Sequence, residues 1–336
     1  MKLKKFFKWA IKAAAACVIA LAVMSGVCLL YYNVPVHYDN ETGATDYKWE
    51  KSKFYSRGTE GFALGRTDSD GFNNLEEIGG RNVDILFTGS SHVEGYNVSQ
   101  KKNCVTRLNQ MFDGEMFTYN IATSSHNLPY ICKNLDDALS FYKPRKYVII
   151  ECQSVEPKIN NMTDAVDGTL EHLKSSSGGI VGMMQEIPYF RLIYLQLSNI
   201  QAKNNESEEE SAGMTVPDKE YADAMSAMLE KIKSTADRHN VTPLIVYHPH
   251  FSVNSEGKIT MLHNEKNVEL FTNLCAEQGI KFASLESDFV NAYKNEHRIP
   301  YGFSNTQIGT GHMNAYGHEL LAKRIFAEIK DMEAAK

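Results

Sequence analysis

The stretch from residue 84 to residue 95 constrains the fold more than any other part of the chain. It opens with a short, continuous apolar run, Ile85–Phe87, which stops at Gly89 and is followed by two serines. Unbroken apolar runs of this length are typical of parallel strands that helices cover on both faces. Because ligands of open α/β sheets bind beyond the carboxyl ends of the strands, Ser91 stands where a nucleophile would be placed.

Further strand patterns alternate with helical patterns along the chain, which favours a parallel sheet with right-handed crossovers. The predicted strands are Val83–Thr88, Met116–Ile121, Tyr147–Cys152, Leu244–Tyr247 and Phe282–Leu285. The predicted helices are Ser99–Phe112, Leu128–Tyr142, Pro217–His239, Glu265–Gln278 and Asn314–Met332. We therefore predict an α/β fold, a three-layer α/β/α sandwich of flavodoxin-like type with about five parallel strands, over residues 67–336.

An insertion interrupts this rhythm at about residues 156–216. It contains an apolar run, Ile180–Ile200, and then an acidic, asparagine-rich stretch, Asn204–Ser211, of the composition of a solvated loop. The apolar run is interpreted as a helix packed on the domain. A lid or membrane-facing cap over the site is the alternative.

The amino terminus has the pattern of a membrane anchor. A basic tail, residues 1–12, precedes an apolar run, residues 13–32, that is long enough to cross a bilayer and ends in two tyrosines. The positive-inside rule then leaves the tail in the cytoplasm and the rest of a single-pass protein outside. Residues 33–66 are interpreted as a polar linker or amino-terminal extension. A cleaved signal peptide is the alternative to an uncleaved anchor.

Composition narrows the classes of partner and cofactor. The net charge of -6 over 336 residues gives no reason to expect a nucleic-acid partner. No phosphate-binding glycine loop follows a strand, so no nucleotide cofactor is predicted. His248-Pro249-His250 has the spacing of metal ligands but lacks an evident third ligand, so no metal is predicted either.

Four cysteines follow the apolar run: Cys104, Cys132, Cys152 and Cys275. An even number in an oxidising compartment permits disulfides. Each, however, lies in an apolar helix or strand pattern, which favours buried free thiols.

A serine hydroxyl is a weak nucleophile at neutral pH unless a base, usually histidine, lies within hydrogen-bonding distance. His312 lies just before the last predicted helix. A serine at the end of a strand and a histidine leading into the closing helix can meet at the same edge of the sheet. Ser91 and His312 are therefore the predicted nucleophile and base.

The motifs around these residues resemble those of one hydrolase family. A Gly-Ser-Ser-His turn, residues 89–92, follows the first strand, and residues 68–73 read Asp-Ser-Asp-Gly-Phe-Asn. Asn120 ends the second strand, and His312 is followed by an asparagine and a glycine. In this order the chain resembles the SGNH (GDSL-like) hydrolase superfamily, in particular its membrane-anchored bacterial members. The resemblance implies an α/β/α esterase in which Ser91 attacks, His312 is the base and the Ser91 N–H is one donor to the oxyanion.

The chain also departs from the family pattern. The family's second-motif glycine falls near Ser125, whose N–H could still donate, and Gln153 stands near the place of the third-motif asparagine. With Asn120, these residues are the predicted oxyanion or substrate contacts. The triad aspartate, three residues before the histidine, is replaced by Gly309. A backbone carbonyl could orient the imidazole, a carboxylate could come from elsewhere, or activity could be reduced.

Three functions follow from the resemblance. The first is an anchored, extracytoplasmic serine esterase that removes an acyl group from an envelope glycan or lipid. The second is an O-acyltransferase that uses the same acyl-enzyme, beside a membrane acyl exporter. The third is a non-catalytic protein that binds glycans or assists envelope assembly, which the missing aspartate at Gly309 and the missing third-motif asparagine favour. Family resemblance indicates fold more strongly than function.

Overall fold

The computed structural model describes residues 2–33, 36–38, 47–124, 126–155, 188–193, 197, 219–254 and 256–335. Its strands are β1 (Tyr32–Asn33), β2 (Val36–Tyr38), β3 (Tyr47–Trp49), β4 (Phe54–Arg57), β5 (Ala63–Arg66), β6 (Ile85–Thr88), β7 (Thr118–Asn120), β8 (Tyr147–Cys152), β9 (Thr242–Tyr247), β10 (Phe251–Val253), β11 (Ile259–Met261) and β12 (Lys281–Ser284). Its helices are α1 (Lys2–Tyr31), α2 (Ser91–Glu94), α3 (Cys104–Phe112), α4 (Leu128–Tyr142), α5 (Lys219–Arg238), α6 (Glu265–Glu277), α7 (Glu286–Glu296) and α8 (Ala315–Ala334). Most of the predicted insertion lies outside the described residues.

The central sheet consists of the five predicted strands, all parallel, in the order β12-β9-β8-β6-β7. In chain order, β6 is the first strand of this sheet. The next strand, β7, pairs with one side of β6, and β8 then pairs with the other side. The direction of growth therefore reverses between β6 and β8, and doubly wound sheets bind ligands at such a reversal. Ser91 follows β6, so the order of the strands places it at this point.

Helices cover both faces of the sheet, because successive strand residues point to opposite sides. Leu86 on β6 packs with helices α4, α5 and α6, whereas its neighbour Phe87 packs with α3, α7 and α8. Both residues are fully buried. The structure therefore confirms the predicted three-layer α/β/α sandwich. Helix α7 and the hairpin β10–β11 have no predicted counterpart.

The cysteines are free thiols, and the four that follow α1 are buried, as predicted. Burial raises the pKa of Cys132 to about 11 and that of Cys275 to about 12. Both thiols therefore stay protonated at neutral pH and behave as small apolar side chains.

The amino-terminal part consists of a long helix and a small antiparallel sheet. Helix α1 includes a stretch, Lys4–Tyr31, that is long and apolar enough to cross a membrane, and no residue in its most apolar part is buried. Strand β1 follows directly and pairs with β4, which pairs in turn with β5. The extension interpreted as a linker thus contains a hairpin, and the inward side chains of Tyr55 and Ala63 pack with Tyr96 of the main domain.

Candidate active site

The nucleophile turn is built by a tight connection between β6 and the short helix α2. Ser90 caps this helix, with its hydroxyl accepting the His92 N–H at 3.3 Å. A Cβ atom at Gly89 would lie 2.4 Å from a carboxylate oxygen of Glu151, so only glycine fits there. Ser91 is the first residue of α2 and is only partly buried. Its hydroxyl therefore stands at the carboxyl end of β6, as predicted.

The structure brings His312 to this hydroxyl. The Nε2 atom of His312 lies 2.9 Å from Ser91 Oγ, across 221 positions of sequence. His312 precedes helix α8, whose amino terminus is capped by the Asn314 side chain accepting the N–H groups of Tyr316 and Gly317. This distance is within the range of a hydrogen bond between a nucleophile and its base.

A third residue, Glu60, completes the chain of hydrogen bonds. One carboxylate oxygen lies 2.6 Å from Nδ1 of His312, and the other accepts the backbone N–H of His312 at 2.7 Å. A carboxylate accepting the Nδ1 proton leaves the Nε2 lone pair free to take a proton from Ser91. Gly309, the position of the family's aspartate, cannot supply a carboxylate, and Glu60 stands in its place.

Glu60 lies in the turn that joins β4 to β5, and neighbouring residues hold that turn. Asn97 donates to the Glu60 carboxylate at 2.9 Å. Asn305 donates to the carbonyls of Gly58 and Gly61 and accepts the Gly61 N–H, all at 2.8–2.9 Å. The extension is therefore part of the site. Sequence reasoning missed Glu60, since the only local signal is a glutamate next to a glycine.

The charge of Glu60 is favoured by its surroundings. Burial by itself raises the pKa of this carboxyl, but hydrogen bonds from His312, the charge of that imidazole and that of Arg57 outweigh it. The net effect lowers the pKa of Glu60 below its usual 4.5. Glu60 is therefore ionised at neutral pH, which is the state that orients and stabilises an imidazolium.

The three predicted oxyanion or substrate contacts have different surroundings. The Asn120 side chain is buried, donates to the Val93 carbonyl at 3.0 Å and accepts the Ala122 N–H at 2.9 Å. These bonds tie the end of β7 to helix α2. Gln153 is exposed just after β8, and its amide contacts Nε2 of His250. Ser125 lies outside the described residues.

The buried carboxylate of Glu151 holds the nucleophile turn through hydrogen bonds. The Glu151 carboxylate accepts both the backbone N–H and the hydroxyl of Ser90, and it also bonds Nε2 of His248. The side chains of Glu151 and His248 are fully inaccessible to solvent. Tyr301 lies 2.8 Å from the other ring nitrogen of His248. Because buried polar groups need partners, this network fixes the position of the turn that carries Ser91.

Several histidines surround this network. The His92 ring lies 4.8 Å from that of His248 and 5.1 Å from that of His312, measured between ring centroids. Nδ1 of His92 accepts the Met313 N–H at 3.1 Å, so His92 helps to hold the segment that carries His312. Within the described ranges, no group of three or more His, Cys, Asp and Glu side chains is arranged to hold a metal ion.

Burial makes these histidines hard to protonate in the folded chain. Desolvation and then the charges of neighbouring histidines lower the pKa of His250 to about 4, and desolvation first of all lowers that of His318 to about 3. The pKa of His92 is lowered for the same reasons. Below the ordinary value of 6.5, the unfolded chain therefore binds protons that the folded chain does not.

We expect the free energy of unfolding to fall as the pH drops from about 6.5 towards about 4. Each such histidine should contribute a loss of about 1.4 kcal/mol for every pH unit between its unfolded and its folded pKa. Thermal melts of the purified chain between pH 7 and pH 4 measure this. His318→Gln removes one titrating group and should make the pH dependence shallower. An unchanged slope in that variant would contradict the assignment.

No family model matches the chain, and no curated protein matches it in sequence. Solved structures do match. The psychrotrophic esterase EstA from a Pseudoalteromonas species is 14% identical, with a TM-score of 0.39, over 74% of this chain and 98% of that one. A Slackia heliotrinireducens protein described as an SGNH hydrolase is 11% identical, with a TM-score of 0.42, over the same shares.

An acetyl xylan esterase is also similar, at 11% identity and a TM-score of 0.40, over 73% of this chain and 98% of that one. These are similarities of fold. In structure, the chain is similar to these two esterases and to the protein described as an SGNH hydrolase.

Proposed function

We propose that this chain is a membrane-anchored, extracytoplasmic serine esterase that removes an acyl group from a cell-envelope glycan or lipid. One observation carries the proposal: Ser91, His312 and Glu60 form a continuous hydrogen-bonded chain, with distances of 2.9 Å and 2.6 Å. Three such groups in this order are what an activated serine nucleophile requires. Helix α1 supports the anchored location, because it is long and apolar enough to span a bilayer.

The reaction follows from the geometry. Ser91 Oγ attacks the ester carbonyl while its proton passes to Nε2 of His312, and Glu60 stabilises the imidazolium that forms. The Ser91 N–H, at the start of α2, is the proposed donor to the oxyanion. His312 then returns the proton to the leaving alcohol. Water, activated by the same imidazole, releases the acid from the acyl-enzyme.

Acyl transfer is the second candidate, and α1 is the observation that favours it. The acyl-enzyme is the same, but a sugar hydroxyl replaces water in the second step. An anchored domain lies beside any acyl donor that a membrane exporter delivers. The non-catalytic alternative depended on the missing aspartate at Gly309 and on the missing third-motif asparagine, and Glu60 removes the first of these two reasons.

A fluorophosphonate probe tests the proposal on the full chain in detergent micelles. We expect one covalent adduct, which mass spectrometry of the peptides should locate at Ser91, because such probes react with activated serines. An unlabelled chain would contradict the proposal. Incubation with an acyl ester plus an oligosaccharide then separates the two reactions, since free acid indicates hydrolysis and acylated sugar indicates transfer.

A further inference from the structure

The hairpin β4–β5 has one face turned away from the main domain. Phe54 and Ser56 lie on this outer face of β4, and the register pairs them with Arg66 and Leu64 of β5. Phe62 precedes β5 by one residue and has the parity of Leu64, so it lies at the edge of this face, where it also lines a cavity with Asn97 and Phe303 of the main domain. These five residues are called the outer face below.

The end of helix α1 is seated on the outer face. The Ser56 hydroxyl donates to the Leu29 carbonyl in the last turns of the helix. A Cβ atom at Gly58 would lie 2.7 Å from the Tyr31 ring, so the helix end and β4 are in close contact. Strand β1 then pairs with β4. The outer face is thus continuous with the end of the apolar helix.

Ser56 itself is fully buried, whereas the large apolar side chains of the outer face are exposed. Phe54 is 47% exposed, Phe62 63% and Leu64 43%. On the inner face, by contrast, Tyr55 and Ala63 are each 1% exposed. The hairpin therefore presents an apolar side beside a helix of membrane-spanning length, with the exposed cation of Arg66 next to it. Apolar side chains edged by a cation suit the interface of an anionic bilayer.

We propose that the outer face docks on the lipid bilayer and holds the catalytic residues at the level of the lipid headgroups. This inference rests on the proposed function, because it takes α1 as the membrane anchor. Glu60 is only two residues from Gly58, a chain distance of at most about 7 Å. Since Glu60 contacts His312 directly, the site lies close to the end of the anchor. The ester it attacks is accordingly carried by a molecule that resides in the bilayer, a lipid or a lipid-linked glycan.

Spin labels measure the docking directly in the full chain, reconstituted into vesicles of phosphatidylethanolamine and phosphatidylglycerol. Cys17→Ala and Cys28→Ala provide the background, since the other cysteines are buried. Labels at Phe62→Cys and Leu64→Cys should be more accessible to oxygen than to a water-soluble nickel complex. A label at Phe141→Cys is the matched control, because Phe141 is 73% exposed but lies on α4. Labels at positions 62 and 64 that are as water-accessible as the control would overturn the inference.

Substrate preference gives a second measurement. The double variant Phe62→Ser/Leu64→Ser should lower the ratio of the rate on a vesicle-borne ester to the rate on a soluble ester by about tenfold. Phe141→Ser should leave this ratio unchanged, and an unchanged ratio in the double variant would count against docking. Failure of fluorophosphonate labelling would instead refute the proposed function, because the accessibility of the spin labels does not depend on catalysis.

Discussion

Ser91→Ala should abolish fluorophosphonate labelling and lower kcat/KM for a short-chain p-nitrophenyl ester by roughly 10⁴- to 10⁶-fold. In the proposed reaction, the hydroxyl that lies 2.9 Å from His312 is the atom that attacks, and alanine leaves nothing in its place. The residual rate would come from substrate binding and oxyanion stabilisation alone. Initial rates of the purified full chain and its variant, with gel detection of the probe, provide the measurement.

Ser90→Ala is the matched control, since the two serines are neighbours on one turn. The Ser90 hydroxyl contacts Glu151 at 3.1 Å and caps α2, but it does not contact His312 in the described structure. We expect this variant to lose about 1 kcal/mol of stability through the lost cap while still reacting with the probe. Loss of labelling in Ser90→Ala but not in Ser91→Ala would place the nucleophile one residue earlier than proposed.

Glu60→Gln should lower kcat by about 10²- to 10⁴-fold with little change in KM. The amide group of glutamine can donate to Nδ1 of His312, which places the imidazole proton on Nε2. In that tautomer the ring cannot accept the Ser91 proton. The charge that stabilises the imidazolium is lost as well. Steady-state kinetics of the variant on the same ester separate the two constants.

Glu50→Gln controls for a general effect of altering the extension. Glu50 lies ten residues earlier and forms an exposed pair with Lys53 at 3.5 Å. Exposed pairs contribute little, so this variant should keep its activity. If Glu60→Gln retained the activity of the unmodified chain, Glu60 would be a structural residue only, and a backbone carbonyl would have to orient His312.

Local patterns in the sequence determined the sheet and two of the three proposed catalytic groups. The unbroken apolar run before Gly89 marks a strand buried on both faces, and this strand is β6, which lies between β8 and β7 in the five-stranded sheet. The proposed nucleophile, Ser91, can be predicted from the sequence because its position depends on the turn that directly follows that strand. His312 can be predicted from the sequence because it lies just before the amphipathic helix α8. In each case the evidence lies within a few residues of the functional group.

Only the tertiary structure decided which carboxylate completes the site. Glu60 and His312 are 252 positions apart, and nothing in the local pattern around Glu60 distinguishes it from other acidic residues of the extension. Its place depends on contacts that form only in the folded chain. The most important are the Asn305 bonds to the turn and the pairing of β4 with β1 at the end of helix α1. A hydrogen bond requires only that two atoms be close in space, so a residue remote in sequence can take over the role that Gly309 cannot fill.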